Sequence, residues 1–221
     1  MLVYGKNILK EIDKKRIKKV YCARKEYLDY LQNNKIHYEF TDINRLNKMV
    51  SGLHQGIVID VFDYEYKTLN DVVGDFVVML DHIEDPHNFG AIIRSADAFG
   101  VDGIIIKDRN QADVTPTVYK VSTGAIEHVR IAKVSNLSNV IKVLKKNGFW
   151  IYAAAGEGAE EYHKQNYNGK NAIIVGNEGV GISKLVRENS DFIIKIPMIG
   201  HVNSLNVSVA TGILLSRIRN K

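Results

Sequence analysis

FVVMLDHIEDPHNFGAIIRSADAFG, residues 76–100, reads as a strand, a turn before a proline and a helix. FVVML (76–80) is apolar without alternation, as strands buried on both faces of a parallel sheet are. The same signature recurs in GIIIK (103–107), VRIAKV (129–134), FWIYAAA (149–155), NAIIVG (171–176) and FIIKIP (192–197). Helical stretches lie between them: NFGAIIRSADAFG (88–100), TPTVYKVSTGAIEH (115–128), LSNVIKVLKKNG (137–148) and ISKLVRENS (182–190). Strand alternating with helix six times predicts a parallel α/β domain with helices on both faces, over residues 76–221. VSVATGILLSRIRNK closes it as a helix whose basic last turn suits the helix dipole.

The preceding chain has shorter elements. Helical NILKEIDKK (7–15), YLDYLQNN (27–34) and INRLNKMV (43–50) alternate with strand-like IKKVYCA (17–23), IHYEF (36–40) and GIVIDVF (56–62). This is a small α/β unit over residues 1–65. The polar and aromatic DYEYKTLNDVVGD (63–75) supplies the boundary, with a linker placed at 66–75.

Composition narrows the function classes. The chain has 221 residues, 45% hydrophobic and 25% charged, and no apolar run near the roughly 18 residues that span a bilayer. The N-terminus lacks a signal-peptide pattern, and the one cysteine, Cys22, is expected as a small core residue in a strand. A cytoplasmic protein with no membrane partner is expected. Residues 1–50 hold 12 Lys and Arg against 6 Asp and Glu, whereas the whole chain nets +5, so the basic excess is N-terminal. Such an excess suits a polyanion such as RNA, although a solvated lysine-rich surface has the same composition.

Ligands of open α/β sheets bind beyond the carboxyl ends of the strands, and three such junctions are unusual. After FVVMLD, Asn88 stands near a helix start with Arg94 six residues on, about 9 Å further along the axis. Asn88 could simply cap that helix. Asp81, His82, Glu84, Asp85 and His87 invite a metal reading, but they lack a ligand spacing such as HExxH, and no metal is expected. After NAIIVG, Gly176, Gly179 and Gly181 permit close backbone approach around Glu178, yet neither GxGxxG nor GK[ST] is present. After FIIKIP, Asn203, Ser204 and Asn206 precede the last helix. Asn203 or Ser204 is the expected cap, and one cap satisfies only one or two amides, leaving polar groups for another use.

Together NFGAIIR, GNEGVGI and IPMIGHVNSLNVSVA resemble, in order and spacing, the three motifs of the SpoU (TrmH-like) RNA 2′-O-ribose methyltransferases of the SPOUT superfamily. YGKNIL near the start and HQGIV at 54–58 resemble the substrate-binding domain of the RlmB-type branch, which methylates a guanosine of 23S ribosomal RNA. The resemblance implies an L30e-like domain followed by a SPOUT-type α/β domain with a deep trefoil knot, a topology that general rules disfavour. It implies S-adenosylmethionine as cofactor, 23S rRNA as partner and a homodimer whose active site draws on both subunits.

Carried over by position, the resemblance implies catalytic roles for Asn88, Arg94, Glu178, Ser204 and Asn206. It implies cofactor contacts at Gly156, Gly176, Ile196 and Leu205. Methyl transfer to a ribose hydroxyl needs alignment of oxygen, methyl and sulfur and an exit for a proton, with no metal. A guanidinium is a poor base, so Arg94 is expected to bind phosphate and orient the 2′-oxygen. A tRNA methyltransferase of the same family and a non-catalytic RNA-binding or ribosome-assembly protein on this fold are the alternatives.

Overall fold

The computed structural model describes residues 1–156, 160–177 and 179–220 and divides the chain into two compact units. The first comprises Met1–Glu65 with Val114–His128; the second comprises Tyr66–Asp113 with Val129–Lys221.

The first unit begins with β1 (Leu2–Tyr4), α1 (Lys6–Glu11), β2 (Ile17–Cys22), α2 (Leu28–Asn33), β3 (Tyr38–Phe40), α3 (Ile43–Met49) and β4 (Ile57–Val61). Its sheet runs β1-β4-β2-β3, with β2 parallel to β3 and β4 antiparallel to both β1 and β2. Val20, Cys22, Ile57, Ile59 and Val61 are buried, so Cys22 is a core residue of a strand.

The second unit continues with α4 (Leu69–Val72), β5 (Phe76–Asp81), α5 (Pro86–Ala98) and β6 (Gly103–Lys107). Residues 66–75, expected as a linker, hold α4, whose Thr68 and Asp71 form a reciprocal capping box. The chain then enters the first unit as α6 (Pro116–Ser122) and a 3₁₀ turn at Ala125–Glu127, before returning. One continuous helix is expected over 115–128. Left-handed Thr123 (φ 53°) and Gly124 (φ 99°) break it instead.

This segment belongs to the first unit by its contacts rather than to the domain expected at 76–221. Arg16 Nη1 pairs with Glu127 Oε1 at 2.6 Å, its Nη2 donates to the Phe62 carbonyl at 3.1 Å, and its guanidinium lies 5.5 Å from the ring centres of Tyr64 and Tyr119. Burial pushes the Tyr119 phenol well above its ordinary pKa, with the Glu127 carboxylate adding to the shift.

The rest of the second unit is β7 (Arg130–Val134), α7 (Leu137–Lys146), β8 (Phe149–Ala154), β9 (Glu160–Glu161), β10 (Lys170–Gly176), α8 (Lys184–Asn189), β11 (Phe192–Lys195) and α9 (Val207–Arg219). Seven parallel strands run in the order β7-β6-β5-β10-β8-β11-β9, so β10 is inserted between β5 and β8. β5 and β6 are buried along nearly their whole length, as continuous apolar runs require. Val77, Met79, Ile105, Ile151 and Ile174 pack with Ile141 and Leu144 of α7 and Val186 of α8. α5 and α9 pack on each other, α5 against β6 and α9 against β10.

Candidate active site

The register of the two central strands builds the site. Gly176 pairs with Asp81 across β10 and β5, which sets the first two junctions side by side. The third lies between β11 and α9, and α9 packs on α5, the helix of the first junction.

At the first junction Asp85 caps α5, its carboxylate accepting from His87 N–H at 2.9 Å, and Pro86 occupies the first turn. The capping role open to Asn88 is thereby taken, and Asn88 lies inside the helix. At the third, the cap expected of Asn203 or Ser204 falls to Asn206. Its Oδ1 accepts from Ser208 N–H at 2.9 Å, Val209 N–H at 3.4 Å and the Ser208 hydroxyl at 2.6 Å. One amide oxygen thus satisfies two of the free helix donors, and the amide nitrogen donates to Asn88 Oδ1 at 2.8 Å.

At the second junction the chain turns back on itself. Gly181 N–H donates to the Asn177 carbonyl at 2.8 Å, while Asn177 Oδ1 accepts from Gly179 N–H at 2.7 Å. A Cβ on Gly176 would lie 2.3 Å from Gly181 C and O, so only glycine allows this approach. Gly181 itself has φ +72°. Glu178 lies outside the described residues.

The segments that follow β8, β10 and β11 enclose a cleft of about 190 Å³. Gly156, Gly176, Ile196 and Leu205, the four expected cofactor contacts, all line it, as does Ser204. Ile194, Met198 and Leu214 add apolar wall, and Lys195 and Asn203 add polar groups. A neighbouring cleft is lined by Asn88, Glu84 and Asp85, and shares Asn177 and Val207 with the first. Asn177 was missed by motif reasoning. Its signal is an Asn at the head of a glycine-rich turn, where its side chain bonds its own backbone two residues on.

Arg94 is exposed on α5 and lines neither cleft. Among the described residues no hydrogen bond or ion pair involves its side chain. Asp81 and His82 face each other across 2.7 Å. No group of three or more His, Cys, Asp or Glu converges on a common point among the described residues, and no described helix is long and apolar enough to cross a membrane.

Residues 75–216 match the model of the SpoU rRNA Methylase family, and residues 2–67 match that of RNA 2′-O ribose methyltransferase substrate binding. A protein of Bacillus subtilis (strain 168), named as a member of the TrmH family of tRNA/rRNA methyltransferases, is 37% identical over 236 aligned positions. That alignment covers 99% of this chain and 95% of the relative. The AdoMet-bound rRNA methyltransferase of Sinorhizobium meliloti superimposes with a TM-score of 0.84 at 25% identity, over 99% of this chain and 86% of that one. The SpoU methyltransferase AviRb of Streptomyces viridochromogenes, in complex with AdoMet, shares the fold with a TM-score of 0.86 at 22% identity, over 100% and 89% of the two chains.

Proposed function

The chain belongs to the SpoU rRNA methylase family, and on that premise we propose that it methylates the ribose 2′-hydroxyl of a guanosine in 23S ribosomal RNA. The methyl donor is S-adenosylmethionine, which supplies an electrophilic methyl group on a sulfonium. The observation that carries this reading is the cleft itself: the sequence-distant segments that follow β8, β10 and β11 converge on it, and all four expected donor contacts line it.

The cleft fits that group. Ile196, Leu205 and Leu214 offer an apolar slot for a purine, backbone at Gly176 approaches without a Cβ, and Lys195, Asn203 and Ser204 offer polar partners. Asn206 and Asn88 hold each other at the boundary with the second cleft, where we place the target ribose. Arg94, exposed and unpaired among the described residues, binds the RNA phosphate and orients the 2′-oxygen; its guanidinium stays protonated throughout. Glu178 is assigned to organising the motif loops, and Ser204 to positioning the ribose.

The N-terminal basic excess and the substrate-binding match over residues 2–67 support an RNA-gripping, L30e-like first domain and favour rRNA. The insertion of β10 between β5 and β8 supports the family's trefoil knot. Ile199, fully exposed, with Val202 and Val209 at 63% and 51%, supports a homodimer that covers this apolar segment. Ribose-methylation mapping of RNA from a strain lacking the gene tests the substrate. Loss at one large-subunit guanosine is expected; intact rRNA with loss in tRNA overturns the rRNA assignment, and no loss in any RNA favours a non-catalytic binder.

A further inference from the structure

We propose that His82 is a positioning residue for the methyl-donor cleft: its ring, held between Asp81 and Lys107, keeps a left-handed turn that aims its carbonyl at the Asn177 loop. The inference rests on the reading of that cleft given above. His82 has φ +65°, a conformation that L side chains adopt rarely and only when their surroundings impose it.

The imposing contacts are specific. Lys107 Nζ lies 2.9 Å from His82 Nε2. An ammonium has no acceptor, so Nε2 is the acceptor in that pair, while Nδ1 lies 2.7 Å from Asp81 Oδ1, a buried oxygen with no hydrogen-bond partner among the described residues. Asp81 is fully buried, and its other oxygen accepts from Ser183 N–H at 2.8 Å. The His82 carbonyl in turn accepts from Asn177 Nδ2 at 3.1 Å. The corner at 81–82 therefore grips both ends of the loop that runs from Asn177 to Ser183. That loop carries Gly181, which walls the cleft with Gly176 and Asn177. Lys107, at the end of β6, meets this corner at the imidazole.

The test uses the full chain with His82→Gly, Lys107→Met and the double variant. Glycine adopts the left-handed turn without strain, so His82→Gly should melt no lower than wild type. Hydrogen exchange at the Gly181 and Ser183 amides, measured without ligand, should nevertheless speed up. Calorimetric affinity for S-adenosylmethionine should weaken by about 2- to 30-fold, with KM for the donor rising more than kcat falls. Lys107→Met should shift both readouts the same way, and adding it to His82→Gly should do nothing further, because both act through one ring. His82→Asn, which tolerates positive φ and can present an amide to Asp81, should recover part of the loss. Unchanged exchange and affinity in both single variants, or full additivity in the double, overturns the inference. If wild type fails to bind the donor, the assignment of the cleft falls, and amide exchange alone decides the role of His82.

Discussion

The side-chain amide of Asn206 donates to Oδ1 of Asn88 across 2.8 Å, joining residues 118 positions apart in the chain. The same Asn206 caps α9 through its oxygen, so one side chain both starts a helix and fixes a neighbour in the second cleft. The two tasks use different atoms and can be separated. Asn206→Asp keeps the capping oxygen and removes the donated hydrogen. We expect near-wild-type thermal stability with reduced methyl transfer. Asn206→Ala should lose both, at about 1 kcal/mol of stability in denaturant unfolding.

Gly176→Ala places a methyl group where Gly181 C and O lie 2.3 Å away, both of them backbone atoms that cannot swing aside. The loop must move outward, and Gly176 and Gly181 both line the cleft proposed for the donor. Calorimetry should show donor affinity falling at least tenfold, while circular dichroism retains the α/β signature.

Much of this fold can be read from the chain because buried parallel strands need continuous apolar runs; GIIIK matches β6 at both ends. β1 has three residues and β9 two, too short to carry a period, and α4 is hidden in a stretch that looks like a linker. Helix starts shift by the choice of cap: Asp85 displaces Asn88, and Asn206 displaces Asn203 and Ser204. Local spacing cannot rank these caps, since each candidate has the right chemistry. The cleft is a different case. Gly156, Gly176, Ile196 and Leu205 meet only through strand order, so motif resemblance reaches them and periodicity does not. His82 carries no sequence mark of its left-handed turn, which comes from Asp81 and Lys107.

Arg94 offers a planar fork that a phosphate can meet with two hydrogen bonds, which lysine cannot reproduce. Arg94→Lys should reduce kcat/KM for RNA by roughly tenfold, the loss of one charge-assisted hydrogen bond of about 1.5 kcal/mol, with donor affinity unchanged. Full turnover in this variant would remove the phosphate-fork role.

Tyr119 is buried in the first unit, and burial, first, then Glu127 raise its folded-state pKa. Its phenol stays protonated in the fold when it would ionise in the unfolded chain. The stabilising contribution is therefore complete below about pH 10, the ordinary tyrosine value, and is lost as pH rises beyond it. Denaturant unfolding at pH 9 and 11 should show a drop that Tyr119→Phe makes smaller; equal drops in both proteins would assign the effect elsewhere.

Nucleoside mass spectrometry after incubating the purified protein with S-adenosylmethionine and unmodified 23S rRNA reads the chemistry most directly. We expect one new 2′-O-methylguanosine per rRNA molecule, abolished by Gly176→Ala. A methylated base, or no transfer by a protein that binds both donor and RNA, would contradict ribose methylation at this cleft.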